Sequence, residues 1–158
     1  MGVKANIKRN IMYAVWAVAW VAVAALLSYL WNDTQSQWYM SLVKPAFQPP
    51  GFVFAIAWSI LYALIAADLF LLFRAGGSAR IIYPLILTLF LGALWNYAFF
   101  AKENASAGVL ILALAVASCI YTVWQAYRKR PLYGWLLLPW LLWQSYALVL
   151  NYTIYMIN

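Results

Sequence analysis

FVFAIAWSILYALIAADLFLLF, residues 52–73, carries a single charged side chain, Asp68, in 22 positions. As an α-helix the run would rise about 33 Å, enough to cross a hydrocarbon layer about 30 Å thick. It lacks the apolar–polar alternation of a barrel strand. In lipid a helix satisfies its own backbone hydrogen bonds, so the run reads as a transmembrane helix. Residues 11–31, 81–100, 105–127 and 133–156 have the same character without any charge. The expectation is an all-α integral membrane protein, a bundle of five transmembrane helices forming one domain over 1–158.

Composition agrees with the runs. Of 158 residues, 68% are hydrophobic and 8% charged, whereas a soluble domain of this size needs a largely polar surface. The first run follows Lys4, Lys8 and Arg9, as in a signal peptide. It is too long for one, and no A-x-A site follows it, so cleavage is not expected.

Much chemistry is excluded. There is no histidine, one cysteine (Cys119), and three acids, Asp33, Asp68 and Glu103. No metal site is expected, because ligand-type residues do not cluster. A Ser-His-Asp arrangement lacks its base, and no two carboxylates lie near each other as a glycosidase pair requires. No P-loop or GxGxxG is present. No cofactor is required by any of these residues.

The net charge of +7 is strongly sided. Lys4, Lys8, Arg9, Arg74, Arg80, Arg128, Lys129 and Arg130 fall on the N-terminal side of the bundle, and only Lys44 and Lys102 on the other. This is membrane orientation rather than nucleic-acid binding. It puts the N-terminus in the cytoplasm and the C-terminus outside, with a plasma membrane favoured.

The connection 32–51 is the long one. It carries WYMSLVKPAFQPPGF at residues 38–52. Its aromatics want burial, and Pro45, Pro49 and Pro50 restrict the backbone, so it reads as a stiff lid. Belt aromatics at the headgroups are the alternative reading of Trp38 and Tyr39, and the less favoured one.

Ten tryptophans are many for this length. Phe54, Trp58 and Tyr62 share a face of the second run, as do Trp95 and Phe99 in the third. Trp140, Trp143 and Ala147 lie along a stripe of the fifth. Three such stripes can line one cavity for a flat apolar ligand. On spacing alone, core packing is the better supported reading. Gln144 and Asn151 share a face and either bridge helices or orient a ligand. Asp68 is read as a structural ion pair with Arg74, Arg80 or the 128–130 cluster rather than a proton relay. Pro84 sits near the start of its run, where a proline is tolerated. Pro139 should kink the last run and widen a cavity beside Trp140 and Trp143. Ala113 and Ala117, or Ala24 and Ser28, have the small-xxx-small spacing of a homodimer contact.

Taken together, Trp38-Tyr39, Leu42, Lys44-Pro45, Pro49-Pro50, Val53-Phe54, Trp58 and Leu61-Tyr62 resemble the TspO/MBR family. That family takes in the translocator proteins, or peripheral benzodiazepine receptors, and bacterial tryptophan-rich sensory proteins. Its pattern looks like WYxxLxKPxWxPPxWVFxxxWxxLY. Trp95 with Phe99-Phe100, and Pro139, Trp143, Ala147 and Leu150-Asn151, extend the resemblance to the later runs. Phe47 and Phe52 stand where the family usually has tryptophan, and Trp140 where it has tyrosine. Gly92 stands where the family often has asparagine, and Asn96, one turn on and on the same face, is the candidate to stand in for it. The C-terminal sterol pattern is incomplete: Leu150 and Tyr152 are followed by no Lys or Arg.

The resemblance implies a five-helix bundle, often dimeric, with a pocket at the lid end. It implies a receptor or translocator that binds porphyrins and other flat hydrophobic molecules, in tetrapyrrole handling or stress sensing. Trp58 and Trp143 match the family's pocket tryptophans, Ala147 a small residue beside the ligand, and Trp38, Pro45 and Pro50 the lid. With Phe47, Phe54, Tyr62, Trp95, Asn96 and Trp140 these make the expected ligand-binding set. Lys44 and Lys102 are the candidates to pair with ligand carboxylates. Without histidine as an axial ligand, a metal-free porphyrin is favoured. Two alternatives remain: a light-dependent porphyrin-degrading enzyme with Trp58 and Trp143 as electron donors, and a transporter of porphyrin or lipid-like molecules.

Overall fold

A computed structural model describes residues 2–158, with side chains from Ala5 onward; Lys4, counted above with the basic end, lies outside the described side chains. The elements are α1 (Gly2–Trp31), α2 (Gln37–Ser41), α3 (Gly51–Arg74), α4 (Ala79–Asn96), a π-helical turn (Tyr97–Ala101), α5 (Ala105–Lys129) and α6 (Pro131–Ile157). Each apolar run has become a helix within a few residues of its expected bounds, except that α1 starts well before residue 11. The 32–51 connection is not plain loop. It holds α2, whose N-cap Ser36 accepts a hydrogen bond from the Tyr39 N–H at 3.1 Å.

The ends of the helices follow from local chemistry. α3 stops in a Schellman turn: Gly77 N–H reaches Leu72 O and Gly76 N–H reaches Phe73 O. Gly76 has φ 82, which suits a residue without Cβ. Asn104 caps α5, its Oδ1 accepting from Ala107 N–H at 2.9 Å, and Pro131 opens α6 at a position where no N–H is missed.

Four segments are long and apolar enough to cross a membrane: Ala5–Trp31, Gly51–Arg74, Ala79–Ala101 and Ala105–Lys129. α6 has 27 residues, but tyrosines, tryptophans, Gln144 and Asn151 dilute its aliphatic run. α1 lies against α3 and α4, α5 against α4 and α6, and α3 against α6. Tyr13 stacks on Phe73 near one end and Trp31 meets Tyr97 near the other, so α1 is antiparallel to α3 and parallel to α4. The main core holds Ile65, Leu69, Leu85, Leu137 and Trp140. A second cluster, around Phe99, Phe100, Leu150 and Ile154, lies under α2.

Three expectations change here. Asp68 is fully buried and neither carboxylate oxygen has a partner. It shares the inward stripe with Leu61, Ile65 and Leu72, whereas Arg74, six residues on, projects about 240° round the helix. Arg74 instead covers the Phe70 ring at 5.6 Å, and Arg128 covers Trp124 at 5.1 Å. Pro84 is not in a first turn, because α4 begins at Ala79; its carbonyl accepts from Thr88 and Ser118 hydroxyls at 2.8 and 3.2 Å, tying α4 to α5. The Ala24/Ser28 pair does not face outward for a second copy. Ala24 is 1% exposed, and Ser28 donates to its carbonyl.

Candidate functional site

Beneath the 32–51 segment lies a cavity of about 660 Å³. Its walls come from α1, α3, α4, the π turn and α6. From α3, Phe54, Trp58 and Tyr62 face it on one stripe, with the Trp58 and Tyr62 rings 5.3 Å apart. From α4 come Trp95 and Asn96. The π turn adds one residue to the helical cycle just beyond them, so Phe99 and Phe100 are both buried and both reach the cavity. Trp95 stacks on Phe99 at 5.7 Å. From α6, Ala147, Leu150, Asn151 and Ile154 form the next wall, at the i, i+3, i+4, i+7 spacing of a single face.

One knot positions these walls. Asn151 Oδ1 accepts from the Trp95 indole N–H at 2.6 Å, and its Nδ2 donates to Ala105 O at 3.0 Å. A single amide thus ties α4, α5 and α6 together at the cavity. Gly108 leaves room for it: a Cβ there would lie 2.7 Å from Asn151 Oδ1 and 3.3 Å from Trp95 Nε1. Gln144, expected to act with Asn151, is buried without any hydrogen bond. The Asn96 amide turns back to donate to Gly92 O at 3.0 Å while the side chain stays in the cavity wall.

The lid is cross-braced. Trp38 meets Phe99 and Tyr39 meets Phe100, both at 5.2 Å between ring centres. Lys44 Nζ donates to Tyr39 O at 2.8 Å and lies 4.5 Å from the Tyr39 ring centre. Gln48 donates to the Tyr39 hydroxyl, and the Tyr146 hydroxyl donates to Phe47 O at 2.9 Å. Asn158 closes the brace: its Oδ1 accepts from Val43 N–H at 2.8 Å and its Nδ2 donates to Val43 O at 3.1 Å. Asn158→Ala removes both bonds, each worth about 0.5–1.5 kcal/mol. Hydrogen exchange at the Val43 amide is expected to speed up about 5-fold, with little change in melting temperature.

The expected set divides. Phe54, Trp58, Tyr62, Trp95, Asn96, Ala147 and Lys44 line the cavity. Trp38, Pro45, Phe47 and Pro50 belong to the lid but stand behind its inner surface, which is made by Tyr39, Met40, Gln48 and Pro49 instead. Trp143 lies behind Phe54, 5.7 Å between ring centres, and Trp140 is packed in the main core. The cavity therefore opens beside α6 about two turns beyond Pro139, not next to it. Lys102 sits over Tyr97 at 5.3 Å, outside the lining. Lys44 is the one cation of the wall among the described residues, and no carboxylate accompanies it.

Sequence reasoning missed the α1 wall, where Ala25, Ser28 and Tyr29 face the cavity. The small residues Ala24, Ala25 and Ser28 were the available signal, since small side chains leave space for something between helices.

The profile of the TspO/MBR family matches residues 14–156. The chain is similar to the tryptophan-rich protein TspO of Archaeoglobus fulgidus, 32% identical over 153 residues, 94% of this chain and 99% of the relative. It is similar to the translocator protein of Sus scrofa, 33% identical over 128 residues, 77% of this chain and 75% of the relative. The tryptophan-rich sensory protein of Cereibacter sphaeroides is 30% identical over 125 residues, 77% of each chain.

Proposed function

The chain belongs to the TspO/MBR family, and from that premise we propose that it binds a flat, apolar tetrapyrrole, by preference a metal-free porphyrin, in the cavity beneath the lid. The observation that carries this reading is the convergence of Trp58, Tyr62, Trp95, Phe99, Phe100 and Tyr39 on one hollow. Ligand pockets for organic molecules run to about 300–1,000 Å³ with mostly apolar walls and a few polar groups, and a volume of about 660 Å³ falls in that range. Aromatic faces favour a π-rich ligand by about 0.5–1.5 kcal/mol per pair beyond area burial. A porphyrin carries its carboxylates at one edge. That edge is assigned to the lid side, where Lys44 can exchange a neutral carbonyl partner for an anionic one.

The protein is a multi-pass membrane protein, and in this reading α6 is the fifth span. Its amides point inward, Gln144 at 1% and Asn151 at 2% exposure, while Leu142, Val149 and Tyr152 face outward. A helix with that arrangement is compatible with lipid despite its polar residues. The basic end, with Arg74, Arg80, Arg128, Lys129 and Arg130, is placed in the cytoplasm. The N-terminus lies there too, the C-terminus and lid lie outside, and the plasma membrane is the host. A homodimer, if formed, would use exposed small residues such as Ala113 and Ala117.

Titrating protoporphyrin into detergent-solubilised protein is expected to quench tryptophan fluorescence saturably, with micromolar affinity. Quenching no stronger than that of free N-acetyltryptophanamide at the same concentration refutes the reading.

A further inference from the structure

A second cavity lies at the opposite end of the bundle, and its chemistry is unlike the first. Arg80 at the start of α4 and Arg128 and Lys129 at the end of α5 line about 470 Å³ together with Ser78, Ile81 and Gln125. No acid is present to neutralise these cations. Asp33 and Glu103 belong to the lid-end connections, and Asp68 is buried without partners. The cations are held rather than loose: Arg128 rests on the Trp124 ring at 5.1 Å, and Lys129 reaches Ala75 O at 3.4 Å. Ser78 is the N-cap of α4, yet its hydroxyl makes no capping bond. The Ser78 carbonyl accepts from the Ile81 and Ile82 N–H groups, which leaves the Ala79 and Arg80 N–H groups, at the α4 terminus beside the same basic space, to donate to an anion.

We propose that this cavity is a phosphate site, filled by the headgroup of an anionic phospholipid. Its position argues for a lipid source. The site lies where helices end, at headgroup depth, and the exposed rings of Tyr121 and Trp124 run down α5 from Arg128 toward the hydrocarbon. Acyl chains can lie along those rings while the phosphate meets Arg80, Arg128, Lys129 and the α4 N-terminus. Basic pockets between transmembrane helices on the cytoplasmic side recognise anionic headgroups in this way. The orienting role of these charges requires neither a shared cavity nor an open helix N-terminus. The proposal is independent of what the lid cavity binds.

The test is native mass spectrometry of delipidated protein with phosphatidylglycerol, phosphatidylcholine or inorganic phosphate, together with melting temperatures. Phosphatidylglycerol is expected to bind about 10-fold more tightly than phosphatidylcholine. The Arg80→Gln/Arg128→Gln protein should lose that preference while melting like the parent in phosphatidylcholine. Both residues are exposed, so folding is not at stake. Arg9→Gln, another exposed cation outside the cavity, should retain the preference. Equal preference in the double variant and the parent overturns the site, as does equal loss in Arg9→Gln. Protection by millimolar inorganic phosphate that matches phosphatidylglycerol overturns the lipid assignment in favour of a soluble phosphate compound.

Discussion

Asn151→Leu is expected to cost about 2–3 kcal/mol of stability, measured by thermal unfolding in detergent. Asn151 makes two interhelical hydrogen bonds, and their losses differ in kind. The Ala105 carbonyl, in the first turn of α5, still accepts its own helical N–H when Asn151 is gone, so that bond is worth the usual interhelical value of about 0.6 kcal/mol. The Trp95 indole N–H is a single donor. Without Asn151 Oδ1, at 2.6 Å, it is left in an aromatic wall with no acceptor, and an orphaned donor costs about 1–3 kcal/mol. Gly108→Ala attacks the same knot from α5, because the new methyl would lie 2.7 Å from Oδ1. The double variant should therefore be less damaging than the sum of the two, by about 0.5–3 kcal/mol. A cost for Asn151→Leu of about 0.6 kcal/mol or less would mean that Trp95 readily finds another acceptor.

Helix existence was legible because each run is apolar throughout and bounded by breakers such as RAGGSAR at 74–80. The facing of α3 was legible too. Phe54, Trp58 and Tyr62 repeat at one turn, and in the structure all three reach the cavity. What periodicity lacks is axial register between helices. It placed Trp140 and Trp143 on one stripe with Ala147 but could not say which level of that stripe meets the hollow. The level is fixed by the knot at Asn151, by Phe54 packing on Trp143, and by Tyr146 reaching Phe47 O. The π turn was also hidden, because Tyr97–Ala101 reads as ordinary helix and its widening depends on packing of Phe99 and Phe100 under the lid. Asp68 failed for a rotational reason: Arg74, near in sequence, projects from another side of α3 and covers Phe70.

Trp58→Ala is expected to weaken porphyrin binding about 30- to 150-fold, a loss of about 2–3 kcal/mol. The Trp58 ring lines the cavity and packs on Tyr62. Truncation removes roughly half of a tryptophan's 150–250 Å² from contact with the ligand. At about 25 cal/mol per Å² that is about 2 kcal/mol, to which the lost ring pairing adds about 0.5–1.5 kcal/mol; partial resettling of the ligand against Tyr62 takes some back. Trp143→Phe is the matched comparison. Its ring stands behind Phe54, and its indole N–H is buried without an acceptor, so phenylalanine keeps a ring against Phe54, gives up some volume away from the cavity wall, and removes a donor that nothing uses. Binding should stay within about 2-fold of the parent. The ratio of the two effects reports where the ligand lies. If Trp143→Phe weakens porphyrin as strongly as Trp58→Ala does, the ligand must displace Phe54 and penetrate toward Trp140. The cavity under the lid would then be its entrance and not its seat.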